Sequence, residues 1–295
     1  MGNVASIAQI TPIDQCNVKD MTMCGSDLYV ATNEGYLIFD TKVGETKEMK
    51  TVGNLTSIIA KDQTDLWYIA NLGMSSTINH VKGTETTTYS VANGAIKGGQ
   101  YADVRARGLA YGPNNTVWFG AYGFFHKFDG KEWTNYTCPA SNFGRIYYKC
   151  FAFDSNGTVW VAGSDQQKNA TFGEFDPVKG EQTPVACDFA SDGVNSMFVD
   201  ANDNVWIGTD YKGFYKYDGS TFVNYNKDSE ANIDINIKTS ATTGLCQAAN
   251  GDIYYAFNKS LVCFSGDYMV VAGTVTNEDL SLIHISEPTR RVVIS

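Results

Sequence analysis

The stretch VNSMFVDANDNVWIGTDYKGFYKYDGSTFVNYN, Val194 to Asn226, holds four short segments rich in Val, Ile, Phe, Tyr and Thr, separated by turns of Asp, Asn and Gly. Val194–Asp200, Val205–Thr209, Gly213–Asp218 and Ser220–Asn226 read as strands, because each is too short and too rich in β-branched and aromatic residues for a helix. The Asp-Gly pair at Asp218 and Gly219 suits the positive φ of a two-residue hairpin, as do Asp129-Gly130 and Asn156-Gly157 elsewhere. Outward from this stretch, VWIGT has counterparts in DLYVAT, DLWYIA, TVWFGA, TVWVAG and DIYYAF. Their central aromatics, Tyr29, Trp67, Trp118, Trp160, Trp206 and Tyr254, lie 38, 51, 42, 46 and 48 residues apart.

That period is the length of a four-stranded propeller blade. The unit around Trp118 repeats the pattern with GLAYG, VWFGA, GFFHKFD and KEWTNYT. A single blade cannot bury both of its faces, so neighbours must stack about an axis. The expected fold is all-β, a β-propeller with six recognisable four-stranded blades, or an incomplete ring of seven. Residues 1–17 read as a lead-in or N-terminal strand, and the repeats fall at about 18–51, 52–100, 101–144, 145–193, 194–237 and 238–275.

Residues 280–295 stand apart. LSLIHISEPTR, Leu280 to Arg290, resembles one reading frame of a sequencing-library adapter, and RVVIS continues no blade, so this segment is expected to be a non-native tail. The natural sequence is then interrupted near Asp279, and His284 carries no functional weight. The full chain carries a net charge of −10; without Arg290, Arg291 and Glu287 it holds 20 basic and 31 acidic residues, a net of −11. Such a balance argues against nucleic acid or anionic membrane as a partner through a general field. No apolar run reaches the 18 residues needed to span a bilayer, so membrane insertion is not expected.

Seven cysteines form no CxxC pair and no metal-ligand spacing, and read as core or turn residues. MGNVASIAQITPID has neither the basic region nor the long apolar run of a signal peptide. Six N-x-S/T sequons fall largely on turns before an aromatic, where Asn and Thr are wanted for structure. No metal site and no cofactor are expected.

DSNGTVWVAG (Asp154 to Gly163) and DANDNVWIGTDYKGFYKYDG (Asp200 to Gly219) resemble the repeat of the two-component regulator propeller family, D-x-x-G-x-(hydrophobic)-W-(hydrophobic)-G-T-x-x-G-(hydrophobic)-x-(aromatic)-D. The resemblance covers about residues 18 to 275. The first two units depart from it: CGSDLYVAT lacks the Asp-x-x-Gly turn, and KDQTDLWYIANLG lacks the Gly-Thr. The resemblance implies a periplasmic or extracellular sensor portion of a hybrid histidine kinase, detecting glycan fragments, or a related secreted propeller. A kinase or sorting segment is not present in the sequence.

Propellers of this architecture bind ligands at one mouth of the central channel. Alignment of the units on their aromatics places Thr56, Arg107, Lys149, Asn195 and Thr243 in one column, with Lys19 as the counterpart in the first unit. The next residue is small or short in five units: Ser57, Gly108, Cys150, Ser196 and Gly244. Small residues let strands crowd near the axis, so the polar column is expected to rim the channel. Lys19, Arg107 and Lys149, with Arg105 and Arg145 in adjoining loops, would make an anion-favouring funnel suited to carboxylate or sulfate. The second-to-third-strand loops add Tyr122, Asp165, Asp210 and Tyr211, residue types that stack on sugars and hydrogen-bond their hydroxyls. The expected partner is an oligosaccharide or another small anionic or polar ligand; the alternative is a scaffold or adhesion propeller with a protein partner.

Catalysis is the lesser expectation. Ser164 to Val185 resembles a blade of virginiamycin B lyase, which implies a metal and a histidine base. His126 and His80, however, read as residues in the middle of third strands, away from any channel-mouth loop. DANDN (Asp200 to Asn204) and DSNG (Asp154 to Gly157) look like the start of a calcium loop, but the twelfth positions hold Tyr211 and Asp165 instead of the bidentate Glu. Both read as hairpin turns.

Overall fold

The computed structural model describes residues 18–43, 45–97, 102, 106–138, 140–141, 144–164, 170–187, 189, 193–210, 212–225, 242–257, 260–265 and 268–274. Among these residues there are six four-stranded antiparallel sheets and one two-stranded sheet, Ala140–Ser141 with Gly144–Arg145. In every four-stranded sheet the strands are neighbours in sequence order, each joined to the next by a hairpin connection. The fifth sheet shows how closely pattern becomes structure: its strands are Val194–Val199, Val205–Thr209, Phe214–Tyr217 and Phe222–Tyr225.

The first strands of the six sheets are Val18–Cys24, Leu55–Asp62, Arg107–Gly112, Tyr147–Phe153, Val194–Val199 and Thr242–Gln247. Each touches the first strand of the next sheet, and the sixth touches the first, so these strands form a closed inner ring. Gly244 shows why the small column is needed. A Cβ there would sit 2.8 Å from Met21 Cγ and 3.1 Å from Met21 N in the first sheet. One core cluster straddles the same junction, joining Val18, Met21 and Leu28 to Cys246, Tyr254 and Ala256. The expectation of an incomplete seven-bladed ring is therefore corrected: the first and sixth sheets pack directly on each other, and a further blade has no gap to occupy.

The second strands are buried along their length in DLYVAT, TVWFGA and VWIGT, as strands covered on both faces must be. Their aromatics fill the spaces between blades. Trp118 stacks on Tyr136 (5.6 Å between centroids) and meets Phe153 of the next sheet at 5.4 Å. Trp206 stacks on Phe198 and Tyr225. Polar staples also cross between sheets: Ser155 N–H and Oγ–H donate to Asp203 at 2.8 and 2.6 Å, and Thr56 Oγ1–H donates to Ala106 O at 2.9 Å.

The suspected calcium loops are turns. Asp154 Oδ1 accepts the N–H groups of Asn156 and Thr158 at 2.9 and 2.8 Å, and Gly157 takes φ +82°. Asp200 accepts from Asn202 N–H, Asn204 N–H and Nδ2, and Trp206 Nε1.

Candidate functional site at the channel mouth

The strand pairing explains why the polar column faces the channel. In the first strands of sheets one, two, four, five and six the register slips at Lys19, Thr56, Lys149, Asn195 and Thr243, and in sheet two it slips again at Lys61, at the far end of the strand. Each is left without a partner in the ladder, a β-bulge, and a bulge re-aims its side chain. In the third sheet Arg107 pairs with Gly120 and the slip follows at Gly108 and Leu109. Gly108 takes φ +66°, and a Cβ on it would lie 2.8 Å from Lys149 O, so only glycine allows the third and fourth sheets to approach this closely.

Five predicted site residues meet as a result. Lys19, Thr56, Arg107, Lys149 and Asn195 line one small axial cavity of about 40 Å³. Asp210 joins them through a hydrogen bond accepted from Asn195 Nδ2, and its backbone N–H donates to Gly193 O at 2.8 Å. A side chain at Gly193 would strike the Asp210 carboxylate and come within 3.6 Å of Lys149 Nζ. Among the described residues none of Lys19, Arg107 and Lys149 forms an ion pair; the ion pairs present involve Lys47, Lys50, His80 and Lys179. Tyr122 sits in the turn between second and third strands of the third sheet, with its ring 6.3 Å from that of Tyr147. The backbone of Arg145 lies in the two-stranded sheet and that of Thr243 at its bulge; their side chains, together with Arg105, Asp165 and Tyr211, lie outside the described residues.

Asp20 is the residue that the column reading did not single out. It occupies the small-residue column in the first sheet, directly after Lys19, and lines the same cavity. Its Oδ2 accepts from Ser57 Oγ–H and from Ile58 N–H (3.1 Å), and its Oδ1 from Met21 N–H (2.9 Å). Ser57 Oγ in turn accepts the Leu109 N–H at 2.9 Å, so one chain of hydrogen bonds ties the first three sheets together at the axis. Crowding by protein pushes the Asp20 pKa up to about 6, against the pull of these donors and of Arg107. Cys150, beside it, is pushed up to about 12 by burial and stays a thiol. Ser196 Oγ, also in the cavity wall, is buried without a hydrogen-bond partner. The signal was present in the sequence: Asp20 is the one charged residue in a column otherwise made of Ser, Gly and Cys.

The histidines lie elsewhere. His126 is buried in the third strand of the third sheet, stacked 4.5 Å from Phe119, and burial pushes its pKa down to about 4. His80 stacks 4.0 Å from Trp67, and its Nε2 lies 2.8 Å from Asp65 Oδ1. A second hollow, of about 510 Å³, lies between the third and fourth sheets at the opposite end of the ring, walled by Trp118, Lys127, Phe153 and Phe175. Among the described residues no helix is long and apolar enough to cross a membrane, and no group of three His, Cys, Asp or Glu side chains is placed to hold a metal.

The family model described as two component regulator propeller matches residues 188–211, which span the end of the fourth repeat and the first half of the fifth. Virginiamycin B lyase from Staphylococcus aureus, solved with quinupristin, shares the fold with a TM-score of 0.62 at 11% identity, over 90% of this chain and 90% of that one. The extracellular domain of a hybrid two component system from B. thetaiotaomicron matches with a TM-score of 0.58 at 13% identity, over 87% of this chain. The present chain spans about a third of that domain, 32% of its length. A PQQ-bound aldose sugar dehydrogenase from Streptomyces coelicolor matches with a TM-score of 0.56 at 12% identity, over 85% of this chain and 92% of that one. No curated protein matches the sequence. At such identities the solved structures speak for the fold alone. The chain is an all-β propeller in which one stretch, residues 188–211, matches the two component regulator propeller model.

Proposed function

We propose that this propeller is a non-catalytic sensor or binding module of the cell envelope or exterior, and that it takes an acidic oligosaccharide at the mouth rimmed by Lys19, Arg107 and Lys149. The observation that carries the reading is the convergence of three cations, unpaired among the described residues, from three different blades of a chain with net charge −10. In an acidic protein, repulsion by the general field would keep an anion away, so a local reversal of sign at a concave site selects where an anion can settle. Arg107 offers a bidentate fork for a carboxylate or sulfate, and Asn195 and Thr56 add neutral polar groups beside it. The two-component regulator repeat and the extracellular propeller of a two component system among the similar structures support the sensor role and its location.

Calorimetric titration with neutral and acidic oligosaccharides tests this. Saturable binding of an acidic glycan, weakened at least about tenfold in Arg107→Glu/Lys149→Glu, is expected. Equal affinity in the charge-reversed variant would remove the mouth from consideration. A protein-binding scaffold is the second reading, favoured by Leu72 and Met74, which stand 64% and 67% exposed on the turn between second and third strands of the second sheet. Loss of a protein partner in Leu72→Ser/Met74→Ser, with no glycan bound by the unaltered chain, would favour it.

A further inference from the structure

We infer that the channel mouth takes up its anion together with a proton, and that Asp20 is the group that receives it. The inference rests on the reading of the mouth as an anion site and adds to it a specificity-determining residue.

The geometry gives Asp20 an unusual position. Asp20 lines the cavity at the foot of the mouth, and among the described residues the charged and titratable groups around it are Lys19 on its own strand, Arg107 from the third sheet, Lys149 and Cys150 from the fourth, and Asp210 beside Asn195 of the fifth. Among the described residues the second and sixth sheets contribute Ser57, Thr56 and Gly244 at this level, none of them charged. The crowding protein thus opposes the ionised form of Asp20, while three donated hydrogen bonds and, more weakly, the Arg107 charge favour it.

An anion seated on Arg107, Lys149 and Lys19 offsets the pull of Arg107 on the carboxylate. The carboxylate is then held near a second negative charge while the protein crowds it, and protonation relieves both costs. The proton comes from solvent and binds an Asp20 oxygen. Ser57 Oγ, already fixed by the Leu109 N–H that it accepts, remains in place to hydrogen-bond the neutral carboxyl. Linkage makes this reciprocal: if the anion favours the protonated form, acidification must favour the anion. Affinity is then highest when Asp20 is neutral, falls as pH rises through about 6, and levels off when the carboxylate is fully formed.

Sulfate is the probe of choice, because its own charge does not change between pH 5 and 8. Its affinity for the full chain is measured by calorimetry at pH 5, 6, 7 and 8, in two buffers of different ionisation enthalpy to count protons. The expected result is an affinity about tenfold higher at pH 5 than at pH 8, corresponding to one coupled pKa unit, with proton uptake near pH 6 to 7. Asp20→Asn is expected to bind sulfate at every pH with a flat profile, and Asp20→Ser, which restores the small-residue column, tests the same point if the amide disturbs folding. A flat profile in the unaltered chain, or an undiminished slope in both variants, overturns the proton coupling while leaving the anion site intact. Absence of sulfate binding at any pH, or binding that survives Arg107→Glu/Lys149→Glu, removes the anion site itself and the coupling with it.

Discussion

The two ends of the ring treat charge in opposite ways. At the hairpin end several acids are spent on their own turns, while Asp203 is used to staple its turn to Ser155 of the neighbouring sheet. Asp218 accepts from the N–H groups and hydroxyls of Ser220 and Thr221, which holds it far below the usual carboxylate range, and Asp129 accepts from the N–H groups of Lys131 and Glu132. These partners lie two or three residues away in sequence, so each of these turns satisfies its acid locally. At the mouth the cations come from three different blades, and among the described residues none of them has an ion-pair partner. Charge that is satisfied by its own turn is structural; charge assembled across blades is left over for something else.

The largest effect is expected from crowding the inner ring. A Cβ at Gly163 would collide with Tyr147 O and lie 2.7 Å from Tyr148 Cα, both on the paired first strand, so Gly163→Val should cost about 3 kcal/mol or more in urea unfolding. A mild effect there would mean that the strands have room the packing does not show. Asp200→Ala comes next. It strips acceptors from two backbone N–H groups and from the buried Trp206 indole N–H, and a loss of about 2–3 kcal/mol is expected by the same measurement. A loss below about 0.5 kcal/mol would show that this turn does not depend on its acid.

Asp20 sets the third expectation. Its folded pKa of about 6 lies above the ordinary 3.8, so the folded state binds the proton more tightly than the unfolded chain does. The resulting stabilisation is complete below about pH 4 and is lost as pH rises through 6, about 1 kcal/mol of it between pH 5 and 7. Asp20→Asn should lack this component, which paired denaturation curves at the two pH values would read; an identical slope in both proteins counts against the raised pKa. The smallest effect is expected from Lys179→Ala, which breaks an exposed ion pair with Asp176 at 3.0 Å and should leave the urea midpoint unmoved.

Much of this was legible in the sequence because a blade is a local object. Trp118, Trp160 and Trp206 mark second strands, and Asp-Gly and Asn-Gly pairs mark hairpins, each within a dozen residues. The rim column was legible for the same reason, since alignment of the repeats placed Lys19, Thr56, Arg107, Lys149 and Asn195 in register before any contact was known. Ring closure was not. It depends on Gly244 meeting Met21, a contact across more than two hundred residues that no local pattern encodes. Asp20 fell between the two cases: its place in the small column was visible, but its effect depends on Arg107 and Ser57 from other blades.

The bulges carry a consequence for how such a chain can diversify. A residue outside the ladder has no directly paired cross-strand neighbour to match, so Lys19, Thr56, Lys149 and Asn195 behave as interchangeable letters written around the axis, while Arg107 is held in the ladder opposite Gly120. The scaffold stays constant while the word changes, and a new preference can arise by substitution at one letter without renegotiating the stability of the blade that bears it.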